Sequence, residues 1–277
     1  MRIRETSLVA ARELRDAMRS RWFIVAAGCF LALSLGLSML GLAGAQRSGL
    51  AGFDRTTASL LNLALLFVPL VTLSLGGLGI AGELEDGSLA LLLAQPITRC
   101  EAYAGKYLGL LAAVTASICI GFGATGIIVG VLAGSGNARG FLSLVALTLL
   151  LGAATLSLGT LLSVALRARA RVIGAAFGVW LVLVYVSDLG AIGLTLARNL
   201  GPGQVFTLAL LNPVQQARVL GTLALTDRLD ILGAVGVFGL DHFGPVGLPL
   251  MLAGALVATA ALPLIVGYVL FRRTAIA

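Results

Sequence analysis

The chain has 277 residues, of which 59% are hydrophobic and only 11% charged, and its mean hydropathy is +1.05. Soluble chains run about 45–50% apolar and about 25% charged, so a water-exposed globule of this size is excluded. The formal charge of +7 then bears on which side of a membrane the arginines occupy, and nucleic acid is not expected as a partner.

Residues 1–21 carry six arginines ahead of the first apolar run. At 100° per residue Ile3, Ser7, Ala10, Ala11, Leu14, Ala17 and Met18 share one arc. Arg4, Glu5, Arg12, Arg15, Asp16 and Arg19 share the opposite one, with Leu8 as the exception. This predicts an amphipathic helix lying on the inner membrane surface, its basic side towards anionic headgroups. The apolar run behind it outlasts a signal peptide and has no clean small-residue cleavage site in a polar region after it, so a retained first span is expected.

Six stretches are long and apolar enough to cross about 30 Å of hydrocarbon: 22–43, 60–80, 107–133, 141–166, 172–195 and 246–271. An even number puts both termini on one side. Thirteen Lys and Arg lie outside the spans on that side and six on the other, so the N- and C-termini are expected in the cytoplasm. Residues 232–240 are too short for a seventh crossing. The expected fold is an all-α membrane protein, a single transmembrane domain over 1–277 with a periplasmic loop at 196–245.

Between spans two and three, Glu83, Glu85 and Asp86 close the second span and Gly87 breaks the chain. Ser88 is expected to cap a new helix and Pro96 to end it after about two turns. Its centre, with Leu89, Leu91 and Leu92, is apolar, followed by Gln95. A stub too short to cross must bury its face in something, and a groove on a second protein is the economical answer. The polar run from Arg99 to Lys106 leads back into the bilayer. Further on, Gly126, Gly130 and Gly134 form two overlapping small-residue steps that favour close helix packing. Asp188 stands at the outer end of span five, as a relay group or a solvated end residue.

The outer insert contains Asn212 and Pro213 at one end of a short run and Gly221 at the other, which predicts a short amphipathic helix. Gln216, Arg218, Asp227 and Arg228 would give this insert a surface for a partner outside the cytoplasmic membrane.

Several chemistries are excluded. Lys106 is the only lysine and is followed by Tyr107, so no phosphate-binding loop of the Walker type exists. A single histidine, His242, rules out a HExxH zinc site and paired-histidine haem ligation. Gly77 to Gly82 match a dinucleotide fingerprint by letter, but they end a membrane span and are read as helix packing. Cys29, Cys100 and Cys119 are isolated, and neither they nor Met39, Met251 and His242 stand at metal-ligand spacing. No catalytic residue, metal site or resident cofactor is assigned.

The insert Glu83-x-Glu85-Asp86-Gly87-Ser88-Leu89, with Gln95-Pro96-Ile97-Thr98-Arg99 and Gly105-Lys106 after it, resembles the permease subunits of ABC-2 type transporters. There an acidic-Gly-Thr/Ser-Leu, Leu-rich, Pro-x-Ser/Thr-Arg and Gly-Lys pattern follows the second span; Ser88 stands where Thr is more frequent. The resemblance implies a second copy of the chain and two separate cytoplasmic ATPase subunits that bind ATP and Mg. It also implies that Glu83, Glu85, Asp86, Gly87 and Ser88 through Arg99 form a coupling helix docked in the ATPase. The long outer loop and the ending at Phe271-Arg272-Arg273 are most similar to the branch serving maturation of nitrous oxide reductase. That implies the bacterial inner membrane, a periplasmic copper-delivery partner and a role in copper-centre assembly. An exporter of a lipid or hydrophobic drug is the alternative.

Overall fold

The computed structural model describes residues 3–48, 52–133, 138–190, 201–225 and 233–273. They form helices, with no strand among the described residues. In chain order these are α1 (Ile3–Arg19), α2 (Arg21–Ser48), α3 (Gly52–Glu85), α4 (Ser88–Leu93), α5 (Arg99–Ala133), α6 (Ala138–Leu166) and α7 (Arg169–Leu181). A π-helical turn (Val182–Val186) continues α7, and α8 (Pro202–Leu210), α9 (Pro213–Leu225) and α10 (Gly233–Arg273) follow. Six helices are long and apolar enough to span a membrane: Arg21–Gly41, Thr56–Glu85, Arg99–Val131, Arg139–Leu166, Arg169–Gly190 and Gly236–Arg273. The end of the bundle bearing α1, α4 and the end of α10 is called the near end below.

α3 and α6 make the closest pair, and glycine permits it. A Cβ on Gly76 would stand 2.6 Å from the Leu156 carbonyl oxygen, and one on Gly159 would stand 2.6 Å from that of Leu73. The Thr72 and Thr155 hydroxyls bond across this seam at 2.6 Å, and each also back-bonds within its own helix. The expected seam at Gly126 and Gly130 is looser. Gly126 faces the Phe141 ring and Gly130 has open space around it, while Gly134 lies outside the described residues. The main core joins α2, α3, α5 and α6 through Phe30, Leu60, Val68, Val114, Phe122, Leu151 and Leu156, with Phe30 and Phe122 edge to face.

Three elements depart from the sequence expectation. α5 starts at Arg99 rather than beyond Lys106, because Thr98 and Glu101 form a reciprocal cap: Thr98 N–H donates to Glu101 Oε2 at 2.9 Å and Glu101 N–H to Thr98 Oγ1 at 3.3 Å. The last span extends back to Gly233 across a break at Gly244, whose φ of 73° precedes Pro245. Part of the outer insert is not a surface loop. α8 and α9 fold back as a hairpin, with α9 packed on α3, α6 and α10. Gly221 does not end α9; it sits inside the helix where a Cβ would meet Leu61 and Leu147.

The depth of that hairpin follows from one hydrogen bond. Asn212, at the turn between α8 and α9, donates from Nδ2 to the Leu183 carbonyl at 2.7 Å. At 1.5 Å per residue, Leu183 is roughly 20 Å along the helix from Arg169. The candidate span runs on to Gly190, so the turn reaches back alongside it. The π-helical turn re-registers the carbonyls of Val182–Val186, and Asn212 caps one of them.

Candidate functional site

Chemistry-bearing side chains concentrate at the near end. Gly87, at φ 73°, turns the chain sharply after α3 and is the N-cap residue of α4. Ser88 therefore begins the helix instead of capping it, and no side chain caps α4. The six-residue helix has two buried residues, two exposed ones and two in between. Leu89 and Leu92 are buried with Ile80, Ala102, Tyr103, Val164 and Phe271, so these two leucines are seated in the chain's own core rather than offered to a partner. Leu91 points the other way and is 73% exposed. Gln95 and Pro96 are exposed beside it. Arg99 is committed elsewhere: its guanidinium donates to the Arg272 carbonyl at 2.8 Å, tying the start of α5 to the orphan carbonyls at the end of α10.

The acidic run before α4 turns towards its own chain. Arg169, at the start of α7, bonds Asp86, lies 3.9 Å from Glu85, and donates to the Gly82 carbonyl at 3.2 Å. Its backbone N–H donates to Glu85 Oε2 at 3.1 Å. These groups are about half exposed, so the ion pairs stabilise little, about 1 kcal/mol or less each. Their effect is to fix the direction in which the chain leaves α3.

Glu83 makes a different kind of contact. The ammonium of Lys106, only 2% exposed, lies 2.8 Å from Glu13 and 2.9 Å from Glu83. Its third donor goes to the Gly79 carbonyl at 3.3 Å, so all three are used. Three elements meet there: α1 supplies Glu13, α3 supplies Glu83 and α5 supplies Lys106. Burying that ammonium without partners would cost several kcal/mol, and the paired carboxylates offset this. Burial pushes the Glu13 carboxyl above its ordinary range, although Lys106 pulls it down.

The same stretch of α5 seats α1. A Cβ on Gly105 would stand 2.7 Å from Val9 Cβ, and one on Gly109 would stand 2.5 Å from the Ala10 carbonyl oxygen. Gly105 and Gly109 thus leave a groove for the buried Thr6 and Val9, and Ala17 is buried further along α1 in the main core. This seating face is centred roughly 80–90° around the helix from the arc the sequence marks as apolar. Ala11 and Met18, from that arc, remain exposed. Beside the Lys106 cluster a cleft of about 350 Å³ opens, lined by Glu13, Asp16, Ser20, Trp22, Glu83, Asp86 and Arg169 with Leu75, Leu78 and Leu110.

Comparison with known proteins identifies the framework. The profile described as ABC-2 family transporter protein matches residues 7–275. The chain belongs to that family. A protein of Pseudomonas aeruginosa named "Probable ABC transporter permease protein NosY" is 34% identical over 272 residues, covering 96% of this chain and 97% of the relative. A protein of the same name from Stutzerimonas stutzeri is 30% identical with the same coverage. The protein is a multi-pass permease subunit of an ABC transporter.

Within this permease, sequence reasoning missed Glu13, Arg169 and the Gly105–Gly109 groove. A signal existed for the first: one lysine in so apolar a chain needs a carboxylate, and Glu13 is among few candidates. The outer residues expected to meet a partner are largely used internally. Asn212, Pro213 and Gln216 are buried. Asn212 bonds Leu183 and Ser187 and accepts from Val214 N–H at 2.9 Å, and Gln216 donates to the Leu210 carbonyl. Arg218 pairs with Asp188 at 2.7 Å, so Asp188 is a bound anchor rather than a solvated end. Asp227 and Arg228 lie outside the described residues.

Proposed function

We propose that this permease couples ATP hydrolysis by separate cytoplasmic ATPase subunits to movement of its spans, with the near end facing the cytoplasm of a bacterial inner membrane and a second copy completing the assembly. The observation that carries the reading is Leu91. It projects from a helix whose opposite face is fixed in the core by Leu89 and Leu92, so a push on it moves α3 and α5 rather than a loose loop. Gln95 and Pro96 extend the outward face. Glu83, Glu85 and Asp86 serve as its internal bracing. ATP and Mg belong to the ATPase.

The likeness to proteins named NosY supports a place in copper-centre assembly of nitrous oxide reductase. A copper-delivery protein would be its periplasmic partner. One substitution tests both levels. Leu91→Asp is expected to abolish co-purification with the partner ATPase and to leave the host's reductase without copper. Retained ATPase binding overturns the docking assignment. Lost binding with a fully copper-loaded reductase keeps the docking assignment and overturns the copper role.

A further inference from the structure

The Lys106 cluster is unbalanced. Two carboxylates, Glu13 and Glu83, face one ammonium that is almost wholly enclosed, and Glu83 Oε2 is buried without a hydrogen-bond partner. Two carboxyls that face one ammonium in a desolvated site resist ionising together, and Glu83 adds to the burial that raises Glu13. The neighbouring groups do not correct the imbalance. Asp16 adds a further negative charge from α1 and is itself paired with Arg12. Arg169 is committed to Glu85 and Asp86, and α2 contributes Trp22 to the cleft.

We infer that Glu13 holds a proton beside Lys106 while α1 is seated, and that release of this proton to water through the adjoining cleft loosens α1 from its glycine seat on α5. The inference rests on the three-way contact and does not depend on which ATPase docks. Desolvation holds the Glu13 carboxyl above its ordinary range in the seated helix, whereas an unseated α1 exposes it to water. Seating is therefore fully favoured below the ordinary carboxylate range and weakens as pH rises through the raised value. α1 is bound to the bundle by its glycine groove and by Glu13, so Lys106 and Glu13 act as positioning residues for the element that leads into the first span.

The full-length protein in lipid nanodiscs tests this. The chain has two tryptophans, so a Trp180→Phe background leaves Trp22, in the cleft wall, as the reporter. Its emission and the hydrogen-exchange protection of residues 3–19, corrected for the intrinsic pH dependence of exchange, are followed from pH 5 to 9. The expected result is a one-proton transition, with protection falling by up to about tenfold per pH unit above it. Glu13→Gln is expected to remove the transition and leave α1 seated throughout. Should Glu13→Gln fail to fold, Glu83→Gln carries the test: with one carboxylate per ammonium, no loosening is expected in this range. Constant protection from pH 5 to 9 in the parent, or an unaltered transition in whichever variant folds, overturns the inference.

Discussion

The two ends of this permease hold their helices together by different chemistry. At the near end, an enclosed lysine ties α1, α3 and α5 to one point, 2.8 and 2.9 Å from two carboxylates. At the opposite end, the α8–α9 hairpin is held by neutral amide contacts from Asn212 and by an Arg218–Asp188 pair that remains about a third exposed. The difference teaches where motion is tolerated. A buried ionic knot fails all at once when one member is lost. A set of amide bonds and a partly wet ion pair releases in small steps. An assembly that receives a push at one end and re-forms contacts at the other is served by that order.

The sharpest way to break the comparison is Lys106→Met. It leaves the partly buried Glu13 and Glu83 side chains without their counter-charge, and a loss of about 3–5 kcal/mol is expected, read as a collapse of folded yield and of the melting temperature in detergent. An effect no greater than that of an exposed ion pair would mean that the near end is not knotted. Asn212→Ala comes next. It removes two bonds to span five and the cap on Val214, so about 1–3 kcal/mol is expected, appearing as faster hydrogen exchange confined to α9 and the π-helical turn. Arg169→Ala should be mildest, at about 1 kcal/mol or less. Its partners are half in water, and a small shift in melting temperature is the expected reading. A reversal of that ranking would erase the contrast between the ends.

The spans were legible because hydropathy over twenty residues reports burial whatever the neighbours are. The break at Gly244 was not read in advance, although Gly-Pro there cannot continue a helix without a kink. What escaped was direction. In the two-turn stub, four leucines look alike in sequence, and only the packing partners on α5, α6 and α10 decide that Leu89 and Leu92 face inward and Leu91 outward. Asn212, Gln216 and Arg218 read as surface because polar residues usually are. Here their polar atoms meet carbonyls, a hydroxyl and a carboxylate within the chain. Glu83 was expected at the docking element, whereas its partner within the chain lies twenty-three positions on and that partner's other counter-ion, Glu13, lies seventy positions before Glu83, a relation no local pattern encodes. The cap at Thr98 and Glu101 was written openly as Thr-x-x-Glu and shows that the start of α5 needed no structure to locate.

The solitary lysine has a practical corollary. Acylating reagents that seek ε-amines find a single target in this polypeptide, and in the folded chain that target is shielded on every side. Modification at that position therefore counts molecules whose first helix has come away, which turns an ordinary labelling reagent into a gauge of an internal opening.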